Sequence, residues 1–516
     1  MIFKKFLKHL FLFCNSIFLD KYEKEFINGN KKKKIIKKLK KKNILVQIVT
    51  DYYYLAYYKT LINDPKYSNY NFIGLWPYFQ QTVRKRHLIL EIFNEFYNKF
   101  IFLFIYIKWS KLYKSIGIRD IETIDSVSFL TKKNNKKKIF FKSREDLLNF
   151  KINTINVGDI IYDTYLRFRA SPTLFLKDYF LKKLIHKCYE IIFNLGKIFK
   201  KYKFVFFFTS YSSYIHHGLP VRFFLKKKTV VYSGKNNSQY NKQLSNNDLS
   251  HAEDFKRYKL YFKKIKKNKK ILEFSRNDLL KRFSKKKKLK NNLSYLLTDT
   301  YYVKKNSNEE INKLRNIDGV LFLQDFYDSP HDWGNLAFND FYIWTIFTLN
   351  IIRKYKLKIA IKPHPNSWHN SADSVALYER LKKRYRNITW LNKDFPNKLI
   401  FKKIKFGISA TGTVLFELAY HNIKAVSCGD HPGMDFNFTI NAKNKKEYKK
   451  ILLNIYKIQN PHYSQRDLLI YNFLYYYYNM DAYESVARKI ELKEIDLTQS
   501  YGLIQFNKKY EDYISK

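Results

Sequence analysis

Cysteine is scarce in this chain: Cys14, Cys188 and Cys428 are the only three in 516 residues. They form neither a disulfide framework nor a zinc-ligand spacing, so a reducing cytoplasm is the expected compartment. Acidic residues are also few, 44 Asp and Glu against 98 Lys and Arg, which leaves a formal net charge of +54. Such a field draws nucleic acid, anionic membrane surfaces or phosphorylated substrates. No short nucleic-acid motif accompanies it, and nucleic acid is not an expected partner. The lysine excess runs alongside an excess of Asn, Ile, Phe and Tyr, as in AT-rich coding, so lysine number alone carries little. Membrane-length apolar runs are missing too. Leu10–Cys14 is too short to span a bilayer, and no small-residue cleavage site follows it. Leu88–Trp109 is very apolar but is interrupted by Glu91, Glu95 and Lys99, which predicts a buried helix, with a following strand as an option.

What is present is enough apolar material for real cores. The chain is 46% hydrophobic and 18% aromatic, with 44 Tyr and 45 Phe, and its length calls for two or three domains. Residues 1–42 read as a basic amphipathic arm. Lys31–Lys42 holds nine lysines in twelve positions, suited to an anionic membrane surface at about 1 kcal/mol per charge. A solvated arm is the alternative. Residues 43–310 are expected to form a first α/β domain with a lysine-rich connection (Lys235–Asn306), residues 311–465 a second, and residues 466–516 helices packing back across both.

Buried strands are predicted at Asn43–Val49, Lys203–Thr209, Thr229–Tyr232 and Gly319–Leu323, from their apolar density. In Gly158–Arg167, Asp159 and Asp163 stand four residues apart with Arg167 one turn further, so an Asp163–Arg167 pair is sterically natural on a helix. The pair His216-His217 follows the Lys203–Thr209 strand beside Gly218, where a histidine is placed for acid–base work. Asp325, Asp328, His331, Asp332 and Asp340 crowd the carboxyl end of Gly319–Leu323. They lack a DxD spacing, and a metal is not expected; acceptor or interdomain contacts explain them equally well.

The densest signal lies in Ile359–Gly433. Four short apolar runs, Ile359–Ile361, Ile388–Leu391, Phe406–Ile408 and Ala425–Cys428, alternate with helix-compatible segments, the pattern of βα units in a parallel sheet. Polar punctuation follows three of them: Lys362-Pro363-His364-Pro365, Ser409-Ala410-Thr411-Gly412-Thr413, and Gly429–Gly433. Hydroxyls and free N–H groups between a strand and a helix suit a phosphate. Glu417, one turn on, is placed to accept from a ribose diol, and equally to be an ordinary solvent-facing glutamate on a capped helix.

KPHP after a strand, then SATGTVLFELAYHNIKAV, resembles the C-terminal half of bacterial capsule and surface-polysaccharide glycosyltransferases. GDIIYDTYLR (Gly158–Arg167), YIHHGLPVRFFLKKKTVVYS (Tyr214–Ser233) and FLQDFYDSPHDWGNLAFNDFYIWTIFTL (Phe322–Leu349) are similar to further blocks of that group. The order is kept from Asn156 to Gly433. The tidier Arg-Phe-Ser-Gly segment of the group is here Arg282-Phe283-Ser284 followed by lysines. The resemblance implies two Rossmann-like α/β domains facing across a cleft, the B-type glycosyltransferase fold. It implies a metal-independent enzyme without a cofactor, taking a nucleotide sugar as donor and a glycan or lipid-linked acceptor at the inner face of the plasma membrane. Ser409, Thr411, Gly412 and Thr413 would bind donor phosphates with Lys362 and His364, and Glu417 the ribose. The base would be His217, Asp159 or Asp163. A polyol-phosphate transferase of the teichoic-acid type, and a non-catalytic basic protein binding membranes or nucleic acid, are the alternatives.

Overall fold

The computed structural model describes residues 18–31, 42–77, 88–124, 139–235, 240–250, 258–283, 311–365, 372–477, 483–484, 490, 492 and 495–515. The short apolar run Leu10–Cys14, most of the lysine run Lys31–Lys42 and the lysines after Phe283 lie outside these residues.

Two parallel sheets organise the chain. The first has seven strands in the order β14-β8-β7-β6-β1-β2-β3. Its parallel members are β1 (Lys42–Gln47), β2 (Tyr70–Trp76), β3 (Asp120–Thr123), β6 (Phe204–Thr209) and β7 (Val230–Lys235). Two antiparallel edge strands, β8 (Tyr240–Gln243) and β14 (Tyr483–Glu484), complete it. The second sheet is parallel throughout, in the order β10-β9-β11-β12-β13. Its strands are β9 (Gly319–Phe322), β10 (Ile359–Lys362), β11 (Phe406–Ile408), β12 (Lys424–Ser427) and β13 (Ile440–Asn441). A small antiparallel pair, β4 (Lys151–Ile152) and β5 (Ile155–Asn156), leads into the helix Gly158–Arg169. The expected α/β class with two Rossmann-like sheets is the architecture found.

Both sheets are doubly wound. In the first, the winding reverses between β1 and β6; in the second, between β9 and β11. At such a reversal the outgoing loops diverge and leave a crevice beyond the carboxyl ends of the two strands, where ligands of open α/β sheets bind.

Local chemistry accounts for the elements. β6 is FVFFFT with Phe207 and Phe208 fully buried, a central strand covered on both faces. The helix Phe341–Lys354 starts where the Asp340 carboxylate accepts from the Ile343 N–H at 2.7 Å. Leu88–Ser115 is one helix of 28 residues rather than a helix and a strand. Its apolar run was too long for a strand, and the charges at 91, 95 and 99 recur at helical spacing. Ile388–Leu391 is not a strand. It touches the second sheet through one parallel bridge, with the Ile361 N–H donating to Thr389 O and the Leu391 N–H to Ile361 O, both at 2.8 Å.

The chain ends bind both halves. Lys21–Lys31, inside the expected arm, is a helix packed into the first core: Phe26 is buried and Glu23 pairs with Lys108 at 2.8 Å. The terminal helix Gly502–Ser515 packs on it and on Tyr52–Ile62. The aromatic helix Gln465–Tyr476 instead packs on Lys269–Phe283 and on Phe416, Phe436 and Phe438 from the helix and loops around the second sheet. Among the described residues no helix is long and apolar enough to cross a membrane.

Candidate active site

The crevice of the second sheet is built from β9 and β11. Gln324, two residues past β9, donates from Nε2 to Ser409 Oγ, one residue past β11, at 2.8 Å. Gly412 follows in the same turn. A Cβ there would stand 2.8 Å from Gln324 Nε2 and 2.9 Å from Ser409 Oγ, so only a glycine leaves that bond intact. Ser409 is buried, Thr411 nearly so, and Thr413 is exposed at the head of the helix Val414–Tyr420. At seven residues this helix lends little dipole, so the hydroxyls and loop N–H groups are what the turn offers an anion.

Lys362, His364 and Glu417 occupy neighbouring but different surroundings. Lys362 is 3% exposed, and its ammonium donates to Asn397 Oδ1. Burial pushes it down to about 7, against the pull of Glu417 and Asp394. Asn397 Nδ2 donates to Glu417 Oε2 at 3.1 Å, while Arg282 Nη2 meets Glu417 Oε1 at 3.3 Å. Glu417 is thus the shared counter-charge of two cations. Arg282, from the Arg-Phe-Ser segment, also stacks over Tyr476 at 4.8 Å. His364 is held down to about 4 by burial, with Asp328 pulling the other way.

The first half reaches this region through two segments. The turn after β6 leads into a π-helical stretch, Tyr214–Gly218, entered with Tyr214 at φ +59°. A side chain on Gly218 would run into the Ser212 carbonyl oxygen. The turn presents Tyr214 OH to Asp328 at 3.3 Å and Ser213 Oγ to Asp332 at 2.8 Å. His216 stacks on the Tyr214 ring at 5.6 Å and is pushed down to about 3 by burial, with Arg167 adding to the effect. His217 lies beside it, ring centroids 4.2 Å apart.

The helix Gly158–Arg169 makes the second approach. Asp163 does not pair with Arg167. Its Oδ1 meets His331 Nδ1 at 2.5 Å, and the His331 N–H donates to Oδ2 at 3.3 Å. Arg167 instead lies within electrostatic reach of Tyr214 and His216. Helical spacing predicted a shared face, but that face is covered by the loop after β9, which supplies a closer partner. Asp159 forms a bidentate pair with Arg222, both contacts 2.6 Å. One turn on, Tyr162 OH and Thr173 Oγ1 both donate to Asp340 Oδ2 at 2.7 Å.

The acidic residues after β9 are therefore largely docking residues: Asp328, Asp332 and Asp340 each hold a hydroxyl from the first half. Asp325 caps its own turn by accepting from the Tyr327 N–H at 3.1 Å. His331 is the functional candidate that sequence reasoning left unassigned to any catalytic role. Its side chain is 10% exposed, and Nε2 has no hydrogen-bond partner among the described residues. Its spacing from Asp163, 168 residues away, gave no sequence signal. Burial raises Asp163 to about 6 despite His331; burial lowers His331, but Asp163, Asp159 and Asp340 together raise it. Asp159 and His331 line a cleft of roughly 370 Å³ together with Glu145, Asn335, Asn339 and Lys445.

No family model matches the chain, and no curated protein matches it. Among solved structures it is similar to the UDP-GlcNAc 2-epimerase of Methanocaldococcus jannaschii in complex with UDP-GlcNAc and UDP. The identity is 10%, the match covers 83% of this chain and 97% of that one, and the TM-score is 0.27. It is similar to the β-Kdo 2,7-transferase KpsC of Thermosulfurimonas dismutans at 12% identity over 54% of this chain and 79% of that one, TM-score 0.29. A third is the N-terminal domain of Candida albicans trehalose-6-phosphate phosphatase, at 8% identity over 86% of this chain and 94% of that one, TM-score 0.28.

Proposed function

We propose that the protein is a glycosyltransferase that moves a sugar from a nucleotide-activated donor to a growing surface polysaccharide, with residues 311–465 holding the donor and residues 43–310 the acceptor. The observation that carries this reading is a meeting of motifs. The blocks that resemble surface-polysaccharide glycosyltransferases come from both halves, and the loops leaving the carboxyl ends of β6 and β9 touch through Ser213–Asp332 and Tyr214–Asp328. Two substrates bound at the two sheets' carboxyl ends would face each other there.

In this reading Ser409, Thr411, Gly412 and Thr413 supply hydroxyl and N–H donors to the donor phosphates. Donors preorganised at the place where the leaving phosphate gathers charge lower the barrier without a metal. His364 is neutral at physiological pH and would donate to a phosphate oxygen rather than add charge. Lys362 is engaged with Asn397, so its contribution is to brace the β10 end of the crevice. Glu417 likewise braces through Arg282 and Asn397.

Gly412→Ala tests the donor crevice. It displaces Gln324 from Ser409, at a cost of about 1 kcal/mol to stability. We expect affinity for the nucleotides UDP, GDP and CMP, read by calorimetry, to fall by more than tenfold for the one that binds the wild type. Unchanged affinity in a folded variant would remove the crevice from the donor site.

A further inference from the structure

His331 has the features of a base held ready for use. A neutral imidazole that donates through Nδ1 to a carboxylate is fixed in one tautomer and one ring orientation, with the lone pair on Nε2. Here Nδ1 is 2.5 Å from Asp163 Oδ1, and the ring is braced edge-on against Tyr162, centroids 5.1 Å apart. Tyr162 is in turn anchored on Asp340. A purely structural histidine so deeply buried would be expected to satisfy both nitrogens, whereas Nε2 is left without a partner among the described residues. The residue also lines the cleft between the halves, beside Asp159. Both halves line that cleft, Glu145 and Asp159 from the first and His331, Asn335, Asn339 and Lys445 from the second.

We propose that His331 is the general base of the transfer reaction and that Asp163 positions it. This rests on the glycosyltransferase reading above and deepens it by assigning the acceptor's activation. The acceptor is a sugar hydroxyl. Its proton passes to His331 Nε2 as its oxygen bonds to the anomeric carbon of the donor sugar. The bond from that carbon to the phosphate oxygen breaks, and its electron pair leaves with the nucleotide. Asp163 stays ionised through the step and stabilises the imidazolium. Of the expected bases, Asp159 is already engaged by Arg222, and His217 does not line this cleft; its neighbour His216, pushed down to about 3, is too weak a base. The charged groups facing the pair are Asp159 and Arg222 on the first half, and Asp332 and Asp340 on the loop after β9.

The test uses the full chain with a panel of UDP-, GDP- and CMP-sugars and a glycan acceptor, following nucleotide release. His331→Asn is the chosen variant, because its amide nitrogen falls near the place of Nδ1 and keeps the bond to Asp163 while Nε2 is lost. The expected result is a wild-type melting temperature to within a few degrees and nucleotide binding within threefold. Transfer should fall by about 10²- to 10⁴-fold. Asp163→Asn is the second variant, and it covers the case in which His331→Asn does not fold. It should fold, lower transfer less severely and move the acid limb of the pH–rate profile to lower pH, a shift that a merely structural role would not cause. Transfer within threefold of wild type in folded His331→Asn would overturn the base role while leaving the glycosyltransferase reading intact. An unmoved acid limb in Asp163→Asn would overturn the positioning role. A wild type that releases no nucleotide from any donor would overturn the parent reading, and the base assignment with it.

Discussion

Replacing Glu417 by Gln removes one negative charge from a network holding two cations. Arg282 Nη2 lies 3.3 Å from Glu417 Oε1, with side-chain exposures of 18% and 13%, and Asn397 Nδ2 donates to Oε2 at 3.1 Å. Glutamine cannot replace both contacts. If its oxygen takes Arg282, its NH₂ faces the NH₂ of Asn397, whose oxygen is already committed to Lys362. Leaving a buried partner uncompensated costs about 3–5 kcal/mol. Residual exposure and the stacking of Arg282 on Tyr476 reduce that to about 2–3 kcal/mol. For a domain of this size the melting temperature should fall by roughly 5–10 °C. A pH signature accompanies the loss. Glu417 is the largest influence holding the Lys362 proton in place against burial. Lys362 gives up its proton near 7 with Glu417 present, so its share of the cost exists only below that pH, and the destabilisation should be larger at pH 6.5 than at pH 8.5. Thermal melts at the two pH values read both effects. A melting temperature within 1 °C of wild type, combined with a ten- to hundredfold loss of nucleotide affinity, would refute this reasoning and return Glu417 to the ribose.

Two further outcomes follow from the same geometry. Unfolded Lys362 keeps its proton to about 10.4, whereas in the folded protein it gives it up near 7. The unfolded chain therefore binds more protons across that window, and the contribution of Lys362 to stability rises with pH by several kcal/mol, on the order of 4. Lys362→Met should flatten the rise of melting temperature between pH 7 and 10, and an unchanged slope would contradict the burial of its charge. Tyr162→Phe removes one of two hydroxyls held by Asp340 Oδ2 across the halves. It should cost about 1.5–3 kcal/mol in denaturant unfolding, and no change in midpoint would mean that the contact does not help hold the halves.

The sheets were legible because central parallel strands need continuous apolar runs. KFVFFFT and IAIK leave few other options once Gly, Pro and polar turns bound them. Ile388–Leu391 has the same look and lies along the free edge of β10, but its pairing stops at the single bridge between Ile361 and Trp390. β13, two residues long, is too short to show a pattern. The helix bearing Asp159 and Asp163 was also legible, but its partners were not. Periodicity says which residues share a face and nothing about which distant loop covers it, so Asp163 and His331 could be joined only by the fold. Glu417 illustrates the same limit. One turn past a Ser/Thr/Gly loop, a carboxylate serves a ribose or a buried arginine equally well, and only the fold brings Arg282 of the Lys269–Phe283 helix against it.

Transfer from a nucleotide sugar is read by nucleotide release from the purified full chain. UDP-, GDP- and CMP-sugars would be supplied singly, with and without a glycan acceptor and in the presence of a metal chelator. Release is expected from one nucleotide class, accelerated by acceptor and insensitive to the chelator. No release from any donor, or release of nucleotide at a rate indifferent to the acceptor and to Gly412→Ala, would contradict it.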